Sequence, residues 1–208
     1  MKKYFLLCSM IFNSLLVYSQ AVQMSDSEIK SFVSKISAES KNIKTLQSDF
    51  TQTKKMDFLD KAIVTSGVMA LKSPNLLSWK YTKPYQYSVI FRDNKIYIND
   101  QGKKSSADVK SKMFEKINKL IVGSASGNLF NDPDFSVSYF KNGNSVISRF
   151  VPKNTQLKKY IQQVDLYFEN GQSTVYQVNM KESSGDTTII TFKNTKINAE
   201  IAASVFNL

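Results

Sequence analysis

The chain has 208 residues and a mass of 23.6 kDa, enough for one domain with a substantial apolar core. Hydrophobic residues make up 42% and charged residues 22%, with only 7 Gly and 4 Pro, which excludes wholesale disorder and long flexible linkers. There is no His and a single Cys, Cys8, so imidazole catalysis, His- or Cys-ligated zinc and an intrachain disulfide are excluded. The composition favours a binding protein over an enzyme.

Residues 1–20 have the pattern of a secretory signal peptide. Two lysines precede a mostly apolar stretch from Tyr4 to Val17, and small residues follow at Ser19 and Ala21, either of which fits as the cleavage position. The apolar stretch is short for a transmembrane helix. Bulky residues precede Cys8, where a lipoprotein signal has small ones. We therefore expect an exported chain whose signal peptide is removed and which is not lipidated.

The net charge of +11 falls by two when Lys2 and Lys3 leave with the signal peptide. Only Arg92 and Arg149 are arginines, and the other basic residues are lysines, whereas specific readers of nucleic acid favour arginine. We therefore expect no nucleic-acid partner. The lysine excess fits either a solvated surface or attraction to an anionic membrane or an acidic partner.

The first predicted element of the mature chain is a helix over residues 25–46. Ser25 and Glu28 have the spacing of a capping box. Apolar residues then recur at helical spacing, with a weaker pattern between Ser37 and Lys41. The helix therefore has one apolar face that must pack on another element.

After the helix, the apolar period changes to two, which predicts strands separated by short turns. Asn142-Gly143 and Asn170-Gly171 are strong hairpin signals. The predicted strands are 47–56, 60–71, 76–81, 87–92, 95–99, 135–141, 144–151, 160–169, 173–182 and 187–193, with 194–198 leading on from the last. Alternation of apolar and polar residues predicts an antiparallel sheet with one buried face. We predict a mainly β (α+β) fold, a curved antiparallel sheet forming an incomplete barrel of about eleven strands.

The segment 108–122 interrupts the strands with an amphipathic helical pattern. Its apolar residues fall on one helical face and its lysines on the others. The segment fits a lid over the sheet or an ordinary core helix equally well.

Two pairs of carboxylates are the available candidates for acid–base or calcium chemistry, Asp57 with Asp60 and Asp132 with Asp134. Both pairs fall in predicted turns, where Asp is favoured for conformational reasons, and neither has the ligand density of a calcium loop. No phosphate-binding loop, dinucleotide fingerprint or nucleophile elbow is present in the sequence. We therefore expect no enzyme, no metal and no cofactor, and a secreted hydrolase lacks a catalytic set.

Several blocks of the sequence together resemble the LolA family of periplasmic outer-membrane lipoprotein carriers. Ser48 to Gln52 (SDFTQ) is similar to the block that opens the family domain, and Gly67 to Trp79 (GVMALKSPNLLSW) is similar to the next one. Lys83-Pro84 with Tyr87 to Asn99, then Phe150 to Lys153, follow in the family order. The resemblance runs over nearly the whole mature chain, and it implies a single LolA-like domain over 21–208.

The resemblance implies a fold and a function. The family fold is an unclosed barrel of about eleven strands under a helical lid, and its apolar cavity takes the acyl chains of triacylated lipoproteins. The family protein is a periplasmic monomer without cofactor that receives lipoproteins from an inner-membrane ABC transporter and passes them to an outer-membrane acceptor. It performs no covalent chemistry, in agreement with the missing catalytic set.

Strand alternation and the resemblance together predict the acyl-chain-binding residues. The strand residues are Phe50, Val68, Ala70, Leu77, Trp79, Tyr81, Val89, Phe91, Ile96 and Ile98, and the lid residues are Met113, Phe114, Ile117 and Leu120. The family typically has Arg before the turn proline and uses it to latch the lid, whereas this chain has Ser73 before Pro74. Lys72 and Ser73 are therefore the predicted latch residues.

Two other functions remain open on the same scaffold. One is a periplasmic lipid-sensing or regulatory module that binds a signalling partner. The other is an outer-membrane acceptor, which needs a lipid anchor that the residues around Cys8 disfavour.

Overall fold

One antiparallel sheet of twelve strands organises the chain, in a computed structural model that describes residues 21–93, 95–108, 130 and 132–208. The strands are β1 (Val22–Gln23), β2 (Thr45–Lys55), β3 (Ile63–Lys72), β4 (Leu76–Lys83), β5 (Tyr87–Arg92), β6 (Lys95–Asp100), β7 (Lys103–Asp108), β8 (Phe135–Asn142), β9 (Ser145–Pro152), β10 (Ile161–Glu169), β11 (Val175–Glu182) and β12 (Thr187–Ile197). Their order across the sheet is β1-β8-β9-β10-β11-β12-β2-β3-β4-β5-β6-β7. The sheet begins at β1 and ends at β7 without closing into a barrel, which confirms the predicted fold class.

The sheet has twelve strands, whereas about eleven were predicted. Two of the twelve, β1 and β7, were not predicted. β1 has only two residues, too few to show alternation. β7 has the sequence KKSSAD, which carries no apolar pattern because it lies at the open edge of the sheet. The predicted helix at 108–122 falls almost wholly on residues that the structure does not describe.

Within the described ranges, three helices accompany the sheet: α1 (Asp26–Ser40), α2 (Thr155–Lys158) and a 3₁₀ helix (Ala203–Phe206). The prediction that the first helix continues to residue 46 was wrong. The apolar pattern already weakens after Ser37, and the chain turns after Ser40. Leu46 instead belongs to β2, where it is buried in the sheet's apolar cluster.

The start of α1 is fixed by the predicted capping box. The backbone N–H and the side-chain O–H of Ser25 both donate to the Glu28 carboxylate, at 3.0 and 2.9 Å. Lys141, on β8, also forms a salt bridge with Glu28. These donors, led by Lys141, lower the pKa of Glu28 from its usual 4.5 to about 2. Glu28 therefore ties the first turn of α1 to the sheet.

Glu28→Gln is expected to lower the stability of the protein at neutral pH. Because the pKa of Glu28 is lower in the folded chain than in the unfolded chain, its contribution is complete above pH 4.5 and disappears as the pH falls towards 2. Thermal unfolding as a function of pH should show the variant and the wild type converging over that window. Asp26→Asn, in the same helical turn, is the matched control, and identical pH profiles for the two variants would contradict the assignment.

Two apolar clusters cover one face of the sheet. The first packs α1 on β8–β11, with Phe32 of the helix edge-on to Phe168 at 5.3 Å between ring centroids. The second lies on β2–β5 and β12. Val175 and Val178 of β11 contact both clusters, so the two form one continuous apolar face. Among the described residues, α1 is the helix that covers the first cluster.

The opposite face of the sheet is covered over β3 and β4 by the C-terminal residues. Ile201 and Phe206 pack against Ala70, and Ser78 is buried in the same region. The predicted alternation has one buried face and would leave Ser78, which alternates with Leu77 and Trp79, towards solvent; this was wrong for Ser78, because the 3₁₀ helix packs on strands β4 and β5. This part of the sheet is buried on both faces.

Candidate functional site

The second apolar cluster lies where the sequence predicted a binding face. Backbone register places Leu77 of β4 beside Leu71 of β3 on one side and Phe91 of β5 on the other. Trp79 lies in the same way between Met69 and Val89. We call this surface the interior face, defined by Phe50, Met69, Leu71, Leu77, Trp79, Tyr81, Val89, Phe91, Ile96, Ile98 and Phe192. Cross-strand packing thus assembles a continuous aliphatic and aromatic surface.

Aromatic rings form the centre of the interior face. The ring of Phe50 lies 4.5 Å from that of Trp79 and 5.1 Å from that of Tyr81, measured between centroids. Phe192 of β12 lies 6.0 Å from Trp79, edge-on. Phe192 was not predicted as part of the site, because β12 pairs with β2 across most of the chain length and no local pattern reveals that pairing.

Eight of the ten predicted strand residues lie on the interior face. The placement of Val68 and Ala70 there was wrong, because they alternate with Met69 and Leu71 and point to the opposite side of β3. Both faces of β3 carry apolar residues, so alternation alone does not distinguish them. Met69 and Leu71 take the predicted places of Val68 and Ala70.

The remaining predicted site residues lie outside this cluster. Met113, Phe114, Ile117 and Leu120 fall outside the described residues. Lys72 and Ser73 are exposed at the end of β3, where the Ser73 N–H donates to the Lys44 carbonyl at 2.8 Å. Their role as a latch stays a prediction.

Polar groups lie at one end of the interior face. The Tyr81 hydroxyl donates to the Gln52 side-chain oxygen at 3.1 Å, and burial raises the pKa of Tyr81. Trp79 is 7% exposed, and among the described residues its indole N–H has no hydrogen-bond partner of acceptable geometry. The Tyr81 hydroxyl nevertheless lies near the indole, because an interaction with the Trp79 side chain offsets part of the rise in the pKa of Tyr81. The hydroxyl of Thr65, which pairs with Gln52 across β2 and β3, also has no partner. Buried Trp N–H groups usually find an acceptor, so an unused donor is notable here.

The acidic residues of the described ranges form no metal-binding group. The described residues contain no group of three or more Asp, Glu or Cys residues arranged to hold a metal ion. The pairs Asp57/Asp60 and Asp132/Asp134 lie in or beside turns as predicted, with the Asp134 N–H donating to the Asp132 side chain at 2.9 Å. No helix in the described ranges is long and apolar enough to cross a membrane. What the site offers is an apolar surface with a few hydrogen-bond donors.

The family model and the similar proteins of known description agree with one another. The sequence profile of "Outer membrane lipoprotein carrier protein LolA" matches residues 41–208. An outer-membrane lipoprotein carrier protein of Cupriavidus pinatubonensis is 22% identical over 89% of this chain and 84% of its own length. The carrier protein of Neisseria meningitidis is 25% identical, over 77% of this chain and 74% of its own.

Two solved structures are similar to this chain at low sequence identity, one of them with a TM-score above 0.5. The MucA/MucB complex of Pseudomonas aeruginosa matches with a TM-score of 0.52 and 10% identity, over 86% of this chain and 60% of the other. A LolA superfamily protein of Nitrosomonas europaea matches with a TM-score of 0.45 and 9% identity, over 85% of this chain and 97% of its own.

Proposed function

Because this chain belongs to the LolA family of outer membrane lipoprotein carrier proteins, we propose that it is a periplasmic chaperone that holds lipoprotein acyl chains against its interior face. The observation that carries the proposal is the continuous aromatic and aliphatic surface around Phe50 and Trp79, on a sheet that does not close. We propose that residues 1–20 direct export and are removed. The carrier then moves lipoproteins from the inner to the outer membrane.

The physical need for such a carrier follows from the cargo. Each methylene group moved from water to an apolar site gains about 0.8 kcal/mol, so three acyl chains do not cross an aqueous space unprotected. An inner-membrane ABC transporter loads the carrier and an outer-membrane acceptor unloads it. The carrier must therefore bind acyl chains weakly enough for the acceptor to remove them. In neither step does the carrier itself make or break a covalent bond, so it acts without enzymatic chemistry.

Equilibrium binding of a tripalmitoylated cysteinyl peptide tests the proposal. The purified mature protein should bind this peptide saturably, near one-to-one, at concentrations below the peptide's own aggregation threshold. The same peptide without acyl chains is the control and should not bind, because the interior face recognises hydrocarbon. Equal binding of the two peptides would contradict the proposal and would indicate a protein-binding module instead.

The indole N–H of Trp79, which makes no hydrogen bond of acceptable geometry within the described ranges, leads to a second, chemical prediction. We infer that an ester carbonyl of the bound diacylglyceryl group accepts this hydrogen bond, since a buried donor without an acceptor is costly. A ligand with ether-linked chains of equal length should therefore bind about tenfold more weakly than its ester counterpart.

Nuclear magnetic resonance reports on that hydrogen bond directly. Trp79 is the only Trp, so the protein gives one indole N–H cross-peak. The cross-peak should move downfield with the ester ligand and much less with the ether ligand. Tyr81→Phe removes the hydroxyl near the indole and is the control, because the difference between the two ligands should persist in it. Identical shifts for the two ligands would contradict the inferred bond while leaving the binding of acyl chains intact.

A further inference from the structure

Exposed apolar side chains gather at one end of the sheet. We call this the loop end, which comprises the turns β2–β3, β4–β5, β6–β7 and β11–β12, the segment 153–160, and the strand residues next to them. Of the ten exposed large hydrophobic residues among the described residues, eight lie there: Phe58, Leu59, Ile63, Val64, Tyr85, Val151, Tyr160 and Ile189. The other two, Val22 and Ile197, lie at the opposite end of the sheet. A concentration of this kind marks an interaction surface, whereas single exposed apolar residues do not.

The turn between β2 and β3 presents the most exposed of these residues. Phe58 is 79% exposed, at the tip of the turn. The turn is held in place because the Leu59 N–H donates to the Met56 carbonyl at 3.1 Å, and the Asp57 N–H to the Asp186 carboxylate at 3.4 Å. At its base, Lys54 forms a salt bridge with Glu182 at 2.8 Å. The phenyl ring is therefore displayed by an anchored turn.

The charge of the loop end has a definite sign. Among the described residues, nine exposed lysines lie there: Lys55, Lys61, Lys83, Lys103, Lys104, Lys153, Lys158, Lys159 and Lys181. Three exposed acidic residues of the same described ranges accompany them, namely Asp57, Asp60 and Asp100. Exposed lysines therefore outnumber exposed acidic residues by three to one beside the exposed apolar residues of the loop end.

Apolar tips, exposed tyrosines and surrounding lysines together match the interface of an anionic bilayer. Phe and Leu side chains partition into the boundary between headgroups and acyl chains. Tyrosines favour the headgroup level, and each nearby lysine adds attraction to anionic lipids. A protein partner would equally cover apolar residues, but it would not by itself require so many lysines of one sign around them.

We propose that the loop end docks on the surface of an anionic membrane, with Phe58 and Leu59 entering the interface and the lysines contacting phosphate groups. The proposal goes beyond carriage of acyl chains, because it concerns where the carrier touches the bilayer itself. Docking would hold the carrier beside the membrane during loading or release.

Sedimentation with lipid vesicles tests the proposal on the mature full-length protein. Vesicles of phosphatidylcholine mixed with phosphatidylglycerol should bind the protein, and added salt should weaken that binding. Phe58→Asp is expected to reduce the bound fraction about tenfold or more, since it replaces an inserted ring by an anion. Val22→Asp, which places the same charge at an exposed apolar residue of the opposite end, should leave the bound fraction unchanged.

Three results would overturn the proposal. The first is no binding of the wild-type protein to the anionic vesicles, which would assign the loop end to a protein partner instead. The second is binding that Phe58→Asp and Val22→Asp reduce equally. The third is equal binding to vesicles of phosphatidylcholine alone at any salt concentration. None of these results depends on whether the protein binds the acylated peptide in solution. Failure of the membrane-docking proposal is therefore distinguishable from failure of the carrier function.

Discussion

Gly67→Ala is expected to prevent stable folding. A Cβ atom at position 67 would lie 1.9 Å from the carbonyl oxygen of Lys80 and 2.8 Å from the Cα of Tyr81. Both are backbone atoms of the neighbouring strand β4, so no side chain can turn away to make room. The pairing of β3 and β4 is already irregular there, between Ser66 and Gly67, which brings the two backbones together.

The expected loss exceeds about 4 kcal/mol, because the two central strands must separate or shift register. Chemical denaturation of the purified variant, or its failure to accumulate in soluble form, would measure this. Ser66→Ala, at the adjacent half-buried position, is the matched control and should change stability by less than about 1 kcal/mol. A Gly67→Ala protein as stable as this control would contradict the close approach of β3 and β4.

Val89→Glu is expected to abolish ligand binding while the protein stays folded. Val89 is half-buried on the interior face, beside Trp79 on one side and Ile98 on the other. A carboxylate there would have to lose its water to admit an acyl chain, so we expect an affinity loss of about a hundredfold. The partial exposure of Val89 lets the carboxylate remain hydrated in the unliganded protein.

Ser88→Glu provides the matched control for this variant. Ser88 is the neighbouring residue on the opposite face of β5, where it pairs with Lys80 and Asn99. The two variants have the same charge and lie on the same strand, so only the face differs. Titration of both with the tripalmitoylated cysteinyl peptide, with circular dichroism to confirm folding, should separate them. Equal affinities would mean that acyl chains bind elsewhere.

Much of the sheet was predictable because the apolar alternation is local. β5 was predicted with its exact bounds, since Lys83-Pro84 and Asp93-Asn94 mark turns on either side of it. β3 shows the limit of this reasoning. Its outward residue Ala70 is covered by Phe206, which lies at the other end of the chain, so both faces of the strand look equally apolar.

The sequence was sufficient to predict that the candidate site is an apolar face of the sheet and to predict most of its residues. Its missing members share a cause, because each depends on a contact between distant parts of the chain. Phe192 joins the face through the pairing of β12 with β2, and Met69 joins it through the register of β3 with β4. The gathering of exposed apolar residues around Phe58 likewise requires knowing which turns lie at the same end of the sheet.

The most direct test of the account is whether bound acyl chains touch Trp79. A triacylated cysteinyl peptide with brominated chains quenches an indole only at close contact, and Trp79 is the only Trp in the chain. We predict saturable quenching near one-to-one stoichiometry, absent with non-brominated chains and lost in Val89→Glu. Saturable binding of the brominated peptide without any quenching of Trp79 would contradict the interior face as the acyl-chain site.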